Sequence, residues 1–316
     1  MDIEYLLFLQ NLRENAAPAV TTVLLQISEL MVGIFPILIA AFLYWCVDKK
    51  AGRLMVFCYA GAQTLNQLIK NIACIYRPWI RDSRLYIAEA AASSATGYSF
   101  PSGHTTLAVA FYGSLANYLK RFSRWWILPC AVLAVLTAFS RNWLGAHTPQ
   151  DVLVALLVSF LFLQMAKWAL NWAENGKNRD VTLILIGSAF CIAMLIFITL
   201  KGYPVDTLED GTLLVDPWDM MTDCYKAAGA SLGFLLGYGI ERHFINFDEK
   251  GTLARRALRF VCGALVLLAV RTLAKKTVCV MLDAHWGGLM EMFMLVLAAV
   301  AAYPALVALV QKKKAK

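Results

Sequence analysis

The sequence predicts an all-α integral membrane protein, a helical bundle of about nine transmembrane helices. Of its 316 residues 60% are hydrophobic and only 16% are charged, and the mean hydropathy is +0.61. A soluble domain rarely has so few charged residues, whereas spanning helices must be apolar where they face lipid. Nine apolar stretches approach or exceed the length of about 20 residues that a span needs.

The nine stretches differ in how clearly they predict a span. In chain order they are 20–47, 52–76, 104–119, 125–140, 151–172, 181–200, 223–244, 258–282 and 289–310. The third and fourth are short, and the eighth is the least certain because it carries Arg271, Lys275 and Lys276. Charges within a span are costly. We expect these to reach the outer interface or to pair with Asp283 or Glu291 rather than to contact a substrate.

The charges between the stretches predict the orientation of the chain. Every second connection is basic: Lys49, Lys50 and Arg53; Lys120, Arg121 and Arg124; Lys177 and Arg179; Arg255, Arg256 and Arg259; Lys312, Lys313, Lys314 and Lys316. By the positive-inside rule this face is cytoplasmic, so the N-terminus lies outside and the C-terminus inside. Residues 2–15, before the first span, are predicted to form a short amphipathic helix in the membrane interface.

Composition also argues against two classes of ligand. The formal net charge is +8, but the basic residues form no stripe with interleaved aromatics, so we expect no nucleic acid partner. The eight cysteines form no CxxC pair and no metal-ligand spacing, which favours small buried hydrophobes over a metal site.

Three short motifs lie at the ends of apolar stretches, all on the predicted outer face. They are Lys70-x6-Arg77-Pro78, Pro101-Ser102-Gly103-His104 and Ser140-Arg141-x5-His147-x3-Asp151. Together they supply three fixed cations, a hydroxyl, two imidazoles and a carboxylate. These groups can hold a phosphate dianion and displace it through a histidine.

The first two motifs predict an anion site at two helix ends. Lys70 and Arg77 are two helical turns apart, so we expect them to project from one stripe, with the following proline ending the helix. Ser102 is predicted to cap the next helix, where Gly103 lets a ligand approach the backbone and the exposed amides favour an anion. His104, beside this site, is predicted to be a general acid.

The third motif predicts an oriented histidine. Thr148 can cap a helix that has Pro149 at its first position, which places Asp151 in the first turn. Asp151 can then accept a hydrogen bond from one nitrogen of His147, leaving the other nitrogen as a nucleophile. Arg141 supplies a planar fork for two phosphate oxygens.

These motifs resemble those of the type 2 phosphatidic acid phosphatase superfamily, in particular its bacterial integral-membrane lipid phosphatases. The resemblance covers about residues 50–172, and every motif position is filled. It implies that His147 attacks phosphorus to form a phosphohistidine with help from Asp151, that His104 protonates the leaving oxygen, and that no metal or other cofactor is required. The phosphate would be held by Lys70, Arg77, Ser102, Gly103 and Arg141.

The resemblance also suggests a division of the chain. Membrane members of the family typically have six spans, so the first six here correspond to their core and the last three are an addition. We therefore expect an interfacial helix at 1–19, a phosphatase core at 20–200 and a C-terminal extension at 201–316.

The extension begins with a polar outer loop, 203–223. It carries six carboxylates: Asp206, Glu209, Asp210, Asp216, Asp219 and Asp223. Asp210-Gly211 is a hairpin-type turn signal. The loop is either a solvated surface loop with no catalytic part or, as we hypothesise, a lid over the site. The seventh span carries Gly229, Gly233 and Gly237, a stripe that lets another helix approach closely.

The predicted function is hydrolysis of a lipid phosphomonoester or diphosphate at the outer face of a bacterial-type plasma membrane. A polyprenyl diphosphate, phosphatidate and phosphatidylglycerol phosphate are all plausible substrates. The expected partners are the lipid phosphate and the bilayer, and the oligomeric state is open. Alternatives are a lipid-linked phosphotransferase, a flippase or transporter with a retained phosphatase core, and a vanadate haloperoxidase. Release of inorganic phosphate without an acceptor would favour hydrolysis over transfer.

Overall fold

The computed structural model describes residues 2–208 and 210–315, with side chains up to residue 312. This part of the chain is helical, as the sequence predicts. The α-helices are α1 Asp2–Asn15, α2 Pro18–Glu29, α3 Ile34–Phe42, α4 Lys49–Ala73, α5 Pro78–Arg81, α6 Gly103–Leu119, α7 Ile127–Trp143, α8 Pro149–Glu174, α9 Arg179–Leu200, α10 Pro217–Ile240, α11 Leu253–Lys276, α12 Val278–Met281, α13 Ala284–Leu297 and α14 Tyr303–Ala315. Three π-helical turns follow α3, α10 and α13: Leu43–Val47, Glu241–Ile245 and Ala298–Ala302.

Several of these helices can cross a membrane. Five are long and apolar enough: Arg124–Trp143, Pro149–Glu174, Arg179–Leu200, Leu253–Met281 and Ala284–Lys312. The pair α2 and α3 makes a sixth if it is counted as one bent span. The protein is therefore a multi-pass membrane protein with five or six candidate spans in its described part.

The count of nine spans is not confirmed. The predicted spans at 52–76, 104–119 and 223–244 exist as helices α4, α6 and α10, but they are not among the candidates. α6 has only 17 residues, fewer than a straight span needs. α4 carries polar and charged side chains along its length, and α10 has two acidic residues among its first seven positions.

The first predicted span, 20–47, is broken. α2 ends at Glu29 and α3 begins at Ile34, and the two axes are bent by 48°. Pro36 lies in the first turn of α3, where its missing N–H costs nothing, whereas one continuous helix would lose a hydrogen bond there. The break leaves Glu29 at a helix end inside an otherwise apolar stretch.

The predicted helix at 2–15 is confirmed as α1. It is held by polar contacts to segments near the third motif and to the connection after α5. Arg13 donates from Nη1 to Trp143 O at 3.0 Å and from Nη2 to Tyr86 O at 2.9 Å, and Gln10 donates to Arg84 O at 3.2 Å.

The chain forms two compact units that do not follow chain order. The first draws on Met1–Pro36, Leu65–Leu163 and Leu200–Met221, and the second on Ile37–Thr64, Gln164–Thr199 and Thr222–Lys316. All eight predicted site residues belong to the first unit. The division into an interfacial helix, core and extension stays a prediction.

In the second unit, the glycine stripe of α10 packs against backbone. A Cβ on Gly229 would lie 2.1 Å from Leu289 O, and one on Gly233 would lie 2.5 Å from Phe293 O. Both oxygens belong to α13, so the two helices approach more closely than side chains would allow. The predicted close approach of another helix to this stripe is confirmed.

The π-helical turns of the second unit are stabilised by aromatic donors. A π turn disrupts the regular helical hydrogen bonding and leaves carbonyls in need of partners. Tyr44 Oη donates to Val300 O at 3.0 Å, and Trp45 Nε1 donates to Ala299 O at 2.8 Å. Both aromatic residues lie in the π turn after α3, and both acceptors lie in the one after α13.

Several charged side chains of the second unit form ion pairs. Arg53, only 6% exposed, contacts Glu174 at 2.5 Å and Glu241 at 3.3 Å, and Glu241 also contacts Lys49 at 3.0 Å. Buried charges require such partners. In α11, Arg271 Nε lies 3.3 Å from Glu291 Oε1, which confirms pairing for this residue of the eighth stretch.

We predict that Gly229→Ala destabilises the protein by about 1–3 kcal/mol, because the added methyl group would overlap a backbone oxygen that cannot move alone. The measurement is the thermal unfolding midpoint of the purified protein in detergent. Gly202→Ala is the matched control, since nothing lies within 4 Å of its added Cβ. Equal midpoints for the two variants would contradict the packing argument.

Candidate active site

The first motif does not lie on one helix, contrary to the sequence prediction. α4 ends at Ala73, and Cys74 has a φ of +48°, a left-handed conformation that ends the helix. The chain is then extended up to Arg77, whose ψ of 153° is typical of a residue before proline. Lys70 is therefore helical and Arg77 is not, and the two cations do not share a helical stripe.

The two cations instead converge on one short segment, residues 96–98. Lys70 Nζ donates to Tyr98 O at 2.8 Å. Arg77 donates from Nε to Gly97 O at 3.0 Å and from Nη2 to Thr96 O at 2.7 Å. Three successive carbonyls thus hold both side chains, which are 6% and 4% exposed.

Arg77 also contacts the histidine of the third motif. Its Nη1 lies 2.9 Å from His147 Nε2. A guanidinium can only donate, so Nε2 is the acceptor and carries the lone pair. The proton of the neutral imidazole must therefore be on Nδ1.

The Nδ1 side of His147 faces a hydroxyl and a carboxylate. Ser99 Oγ lies 3.3 Å from Nδ1 and donates to Asp151 Oδ2 at 2.5 Å. Asp151 Oδ2 itself is 3.5 Å from Nδ1 and also accepts from Thr148 N at 2.7 Å. The predicted pairing of His147 with Asp151 is therefore present, but Ser99 bridges the two groups.

Burial keeps His147 unprotonated. Its side chain is 2% exposed, and desolvation holds its pKa well below the usual value, with Arg77 acting in the same direction. Burial also lowers the pKa of Arg77 to about 9, which leaves it cationic at neutral pH. The neutral imidazole carries its lone pair on Nε2, and that lone pair becomes available to attack an anion once Arg77 donates to the anion instead.

The second motif forms the start of α6, as predicted. Ser102 Oγ accepts from Thr105 N at 3.4 Å, and Thr148 Oγ1 caps α8 in the same way by accepting from Asp151 N. A Cβ built on Gly103 would find only Asn66 Oδ1, at 4.0 Å, so the helix start has open space beside its backbone. Ser102 N donates to Asp151 O at 3.1 Å, which ties the second motif to the third.

Arg141 is fully buried, and within the described residues only one of its three guanidinium nitrogens makes hydrogen bonds. Nη1 donates to Ser28 Oγ at 3.2 Å and lies 3.5 Å from Glu29 Oε1. Within the described residues, Nε and Nη2 have no hydrogen-bond partner. These two nitrogens form one edge of the guanidinium, the edge that binds two oxygens of an oxyanion side by side.

His104 and Arg141 meet at a carboxylate that the sequence analysis did not identify. His104 Nε2 lies 3.3 Å from Glu29 Oε1, without hydrogen-bond geometry, and Ser94 Oγ donates to the same oxygen at 2.6 Å. This carboxylate favours a protonated imidazole and so opposes the burial of His104, which favours the neutral form. Its signal in the sequence was an acidic residue inside an apolar stretch.

Ser99 was also missed. It lies just before the second motif, and its role depends on the distance to His147 in the folded chain, which no local pattern encodes. The structure brings all eight predicted site residues to one region of the first unit. Among residues 2–208 and 210–315, no three His, Cys, Asp or Glu side chains are grouped so that they could hold a metal ion.

Comparison with known proteins accounts for most of the chain. Residues 51–175 match the PAP2 superfamily, and residues 225–315 match the transmembrane extension of PAP2 superfamily phosphatases. The undecaprenyl-diphosphatase BcrC of Bacillus subtilis is 30% identical over 46% of this chain and 74% of its own length. The chain belongs to the PAP2 superfamily. This confirms the resemblance found in the motifs and the general function that it implied, a membrane lipid phosphatase and phosphoric ester hydrolase.

Two further relatives match very different shares of the chain. Sphingosine-1-phosphate phosphatase 2 of Mus musculus is 23% identical over 77% of this chain and 69% of its own length. Phosphatidylglycerophosphatase B of Haemophilus influenzae is 42% identical, but over only 21% of this chain and 30% of its own length. No solved structure matches the chain.

We predict that Ser99→Ala lowers kcat on the order of tenfold to a hundredfold, the usual cost of losing a group that orients a reacting side chain. The imidazole would lose the hydroxyl that links Nδ1 to Asp151. Ser114→Ala is the matched control, because Ser114 is equally buried but its hydroxyl has no hydrogen-bond partner in the described part of the chain. Initial rates of phosphate release test both variants, and equal rates would exclude the bridging role.

Proposed function

We propose that this PAP2 phosphatase removes a phosphate from a lipid through a covalent phosphohistidine on His147. The supporting observation is the contact of Arg77 Nη1 with His147 Nε2, which fixes the tautomer and directs the lone pair toward the cations. A phosphate held by Arg77 would present its phosphorus to that lone pair. The proximity of nucleophile and bound anion supplies much of the rate enhancement.

The phosphate would be bound by Lys70, Arg77, Arg141 and the start of α6. The free edge of Arg141 would take two non-bridging oxygens, and the hydroxyl of Ser102 and the backbone N–H of Gly103 would donate to another. Opposite charges at short range inside a buried site hold a dianion strongly. No metal ion is needed for this charge balance, so we expect none.

Turnover would proceed in two steps. His147 Nε2 forms a bond to phosphorus while the bond from phosphorus to the lipid oxygen breaks, and His104 transfers its proton to that oxygen. A water then gives a proton to His104 and attacks phosphorus, which breaks the N–P bond and releases inorganic phosphate. Asp151, through Ser99, would stabilise the positive charge that develops on His147.

The substrates proposed for this chain are lipid phosphates of the kinds named for its relatives. A polyprenyl diphosphate, as in the name of the Bacillus subtilis relative, is favoured because that match combines 30% identity with 74% of the relative's own length. Phosphatidylglycerol phosphate and phosphatidate remain candidates, and so does a sphingoid phosphate like that named for the mouse relative.

We further propose that α4, α6 and α10 also cross the membrane, which gives nine spans with the site on the extracytoplasmic face of the plasma membrane. α4 begins at Lys49 on the predicted basic face and ends near Lys70 in the site. Its polar residues Asn66, Gln67 and Lys70 are buried within the protein, which makes such a helix tolerable in lipid.

We predict that His147→Ala lowers lipid phosphate hydrolysis by a factor on the order of 10⁴ or more, as expected for loss of a nucleophile. The assay measures inorganic phosphate from purified protein with EDTA present, and acid-labile, alkali-stable phosphoprotein is trapped by base quenching. His243→Ala is the control, since His243 contacts Asp180 in the second unit at 2.7 Å. Substantial activity in His147→Ala, or no phosphoprotein from the wild type, would refute the covalent mechanism.

The nine-span topology predicts where single cysteines can be labelled. Tyr86→Cys and Phe122→Cys lie on either side of α6 in the chain, and Leu208→Cys and Phe244→Cys lie on either side of α10. All four native side chains are exposed. A membrane-impermeant maleimide should label positions 86 and 208 in intact cells, and positions 122 and 244 only after permeabilisation. The unsubstituted protein gives the background from native cysteines. Labelling of both members of a pair from outside would show that the intervening helix does not cross.

A further inference from the structure

The segment 200–221, which joins α9 to the first turn of α10, belongs to the first unit together with the site. Its middle forms the predicted hairpin turn. Leu208 N donates to Thr212 O at 2.8 Å, Leu214 N donates to Asp206 O at 2.9 Å, and Gly211 has a φ of +83°. The described carboxylates around this turn have local partners: Asp210 accepts from Thr212, and Asp216 accepts from Trp218 N. Glu209 lies outside the described residues.

The contacts of this segment go to the neighbours of Lys70. Tyr203 Oη donates to Asn71 Oδ1 at 2.8 Å. Lys201 Nζ donates to Asn71 O and lies 3.1 Å from Cys74 Sγ. Asn71 is the residue after Lys70 and is fully buried, and Cys74 is the left-handed residue that ends α4.

Other contacts go to the neighbours and partners of Arg77. Tyr76 Oη, one residue before Arg77, donates to Asp206 Oδ2 at 2.6 Å. Met220 packs closely against Gly97. A Cβ added to Gly97 would lie 2.1 Å from the methyl carbon of Met220 and 2.6 Å from the sulfur of Met220. Gly97 has a φ of +64°, and its carbonyl accepts from Arg77 Nε.

A buried cluster completes the contact. Tyr98, Val215 and Met220 are 0%, 7% and 2% exposed and pack together, with Tyr76 and Tyr203 against them. The carbonyl of Tyr98 accepts from Lys70. The segment therefore contacts the residues next to Lys70 and Arg77 in the chain. It also contacts the residues whose carbonyls accept hydrogen bonds from these two side chains.

We propose that the segment 200–221 is a positioning element for the phosphate site, in which Met220, Val215 and Tyr203 hold the Gly97–Tyr98 turn and Asn71 so that Lys70 and Arg77 reach the phosphate. This inference rests on the proposed function. It differs from the lid hypothesis, because a lid would distinguish lipids from small phosphates. A positioning element affects both alike, since both place the same group against the same cations.

The experiment compares Met220→Ala with Met220→Leu, which restores the packed volume. Met220→Ala is expected to raise the inhibition constant of orthovanadate, and the KM for both a lipid phosphate and p-nitrophenyl phosphate, on the order of tenfold. Met220→Leu should remain within about twofold of wild type. Leu208→Ala, at an exposed position beside the hairpin turn, is the matched control and should change none of these values. An inhibition constant does not depend on the fraction of folded enzyme, so loss of stability alone cannot produce the shift.

Tyr203→Phe provides a second variant if Met220→Ala fails to fold. It removes one hydrogen bond to Asn71 and should raise the same constants about threefold. Unchanged constants in a folded variant would overturn the proposal, as would a change confined to the lipid substrate, which would favour a lid. Binding of inorganic phosphate, measured by calorimetry without turnover, distinguishes a failure of the proposed function from a failure of the positioning role. If wild type binds phosphate but releases none from lipids, the proposed function fails, whereas weaker binding by Met220→Ala would still support the positioning role.

Discussion

The contact between Arg77 and His147 is the interaction on which the rest of the site depends. Because an arginine has only protons to offer, it fixes which nitrogen of the histidine carries a lone pair, and the opposite nitrogen must then donate. That donation requires an acceptor, which Ser99 and Asp151 provide in sequence. The cation thus determines the tautomer, and the same cation lies where it can bind the anion that the lone pair would attack.

Features of the site that are encoded locally were predictable from the sequence. The caps at Ser102 and Thr148 depend on residues three positions apart, and both formed as expected. The course of the chain between Lys70 and Arg77 was not predictable, because the left-handed conformation of Cys74 has no sequence signal as strong as a glycine. The contribution of Glu29 depends on the break between α2 and α3, which hydropathy does not reveal. Each stretch that hydropathy predicted is largely helical, but hydropathy could not separate lipid-facing helices from those whose polar residues face protein.

The packing of the chain beyond the core depends on contacts with backbone carbonyls more than on contacts between side chains. In the second unit, glycines of α10 admit the carbonyls of Leu289 and Phe293, and the indole and phenol of neighbouring aromatics satisfy the carbonyls of a π turn. Such contacts allow little substitution, since an added methyl group meets main chain that cannot rotate away. In the first unit, the segment before α10 contributes side chains that contact the neighbours of Lys70 and Arg77, so the residues after 200 also include structure beside the candidate site.

The end of α4 at Ala73 changes the meaning of the spacing in the first motif. On one continuous helix, the separation of Lys70 and Arg77 would be a matter of pitch, and any insertion of two whole turns would keep both groups facing the same way. Here the helix ends before Arg77, and residues 74–77 form a short non-helical connection. An insertion of whole turns has no special status in such a connection, because Arg77 is positioned by its contacts to residues 96–97 and to His147. The spacing of the motif is therefore set by how far this connection reaches, and helical pitch does not enter.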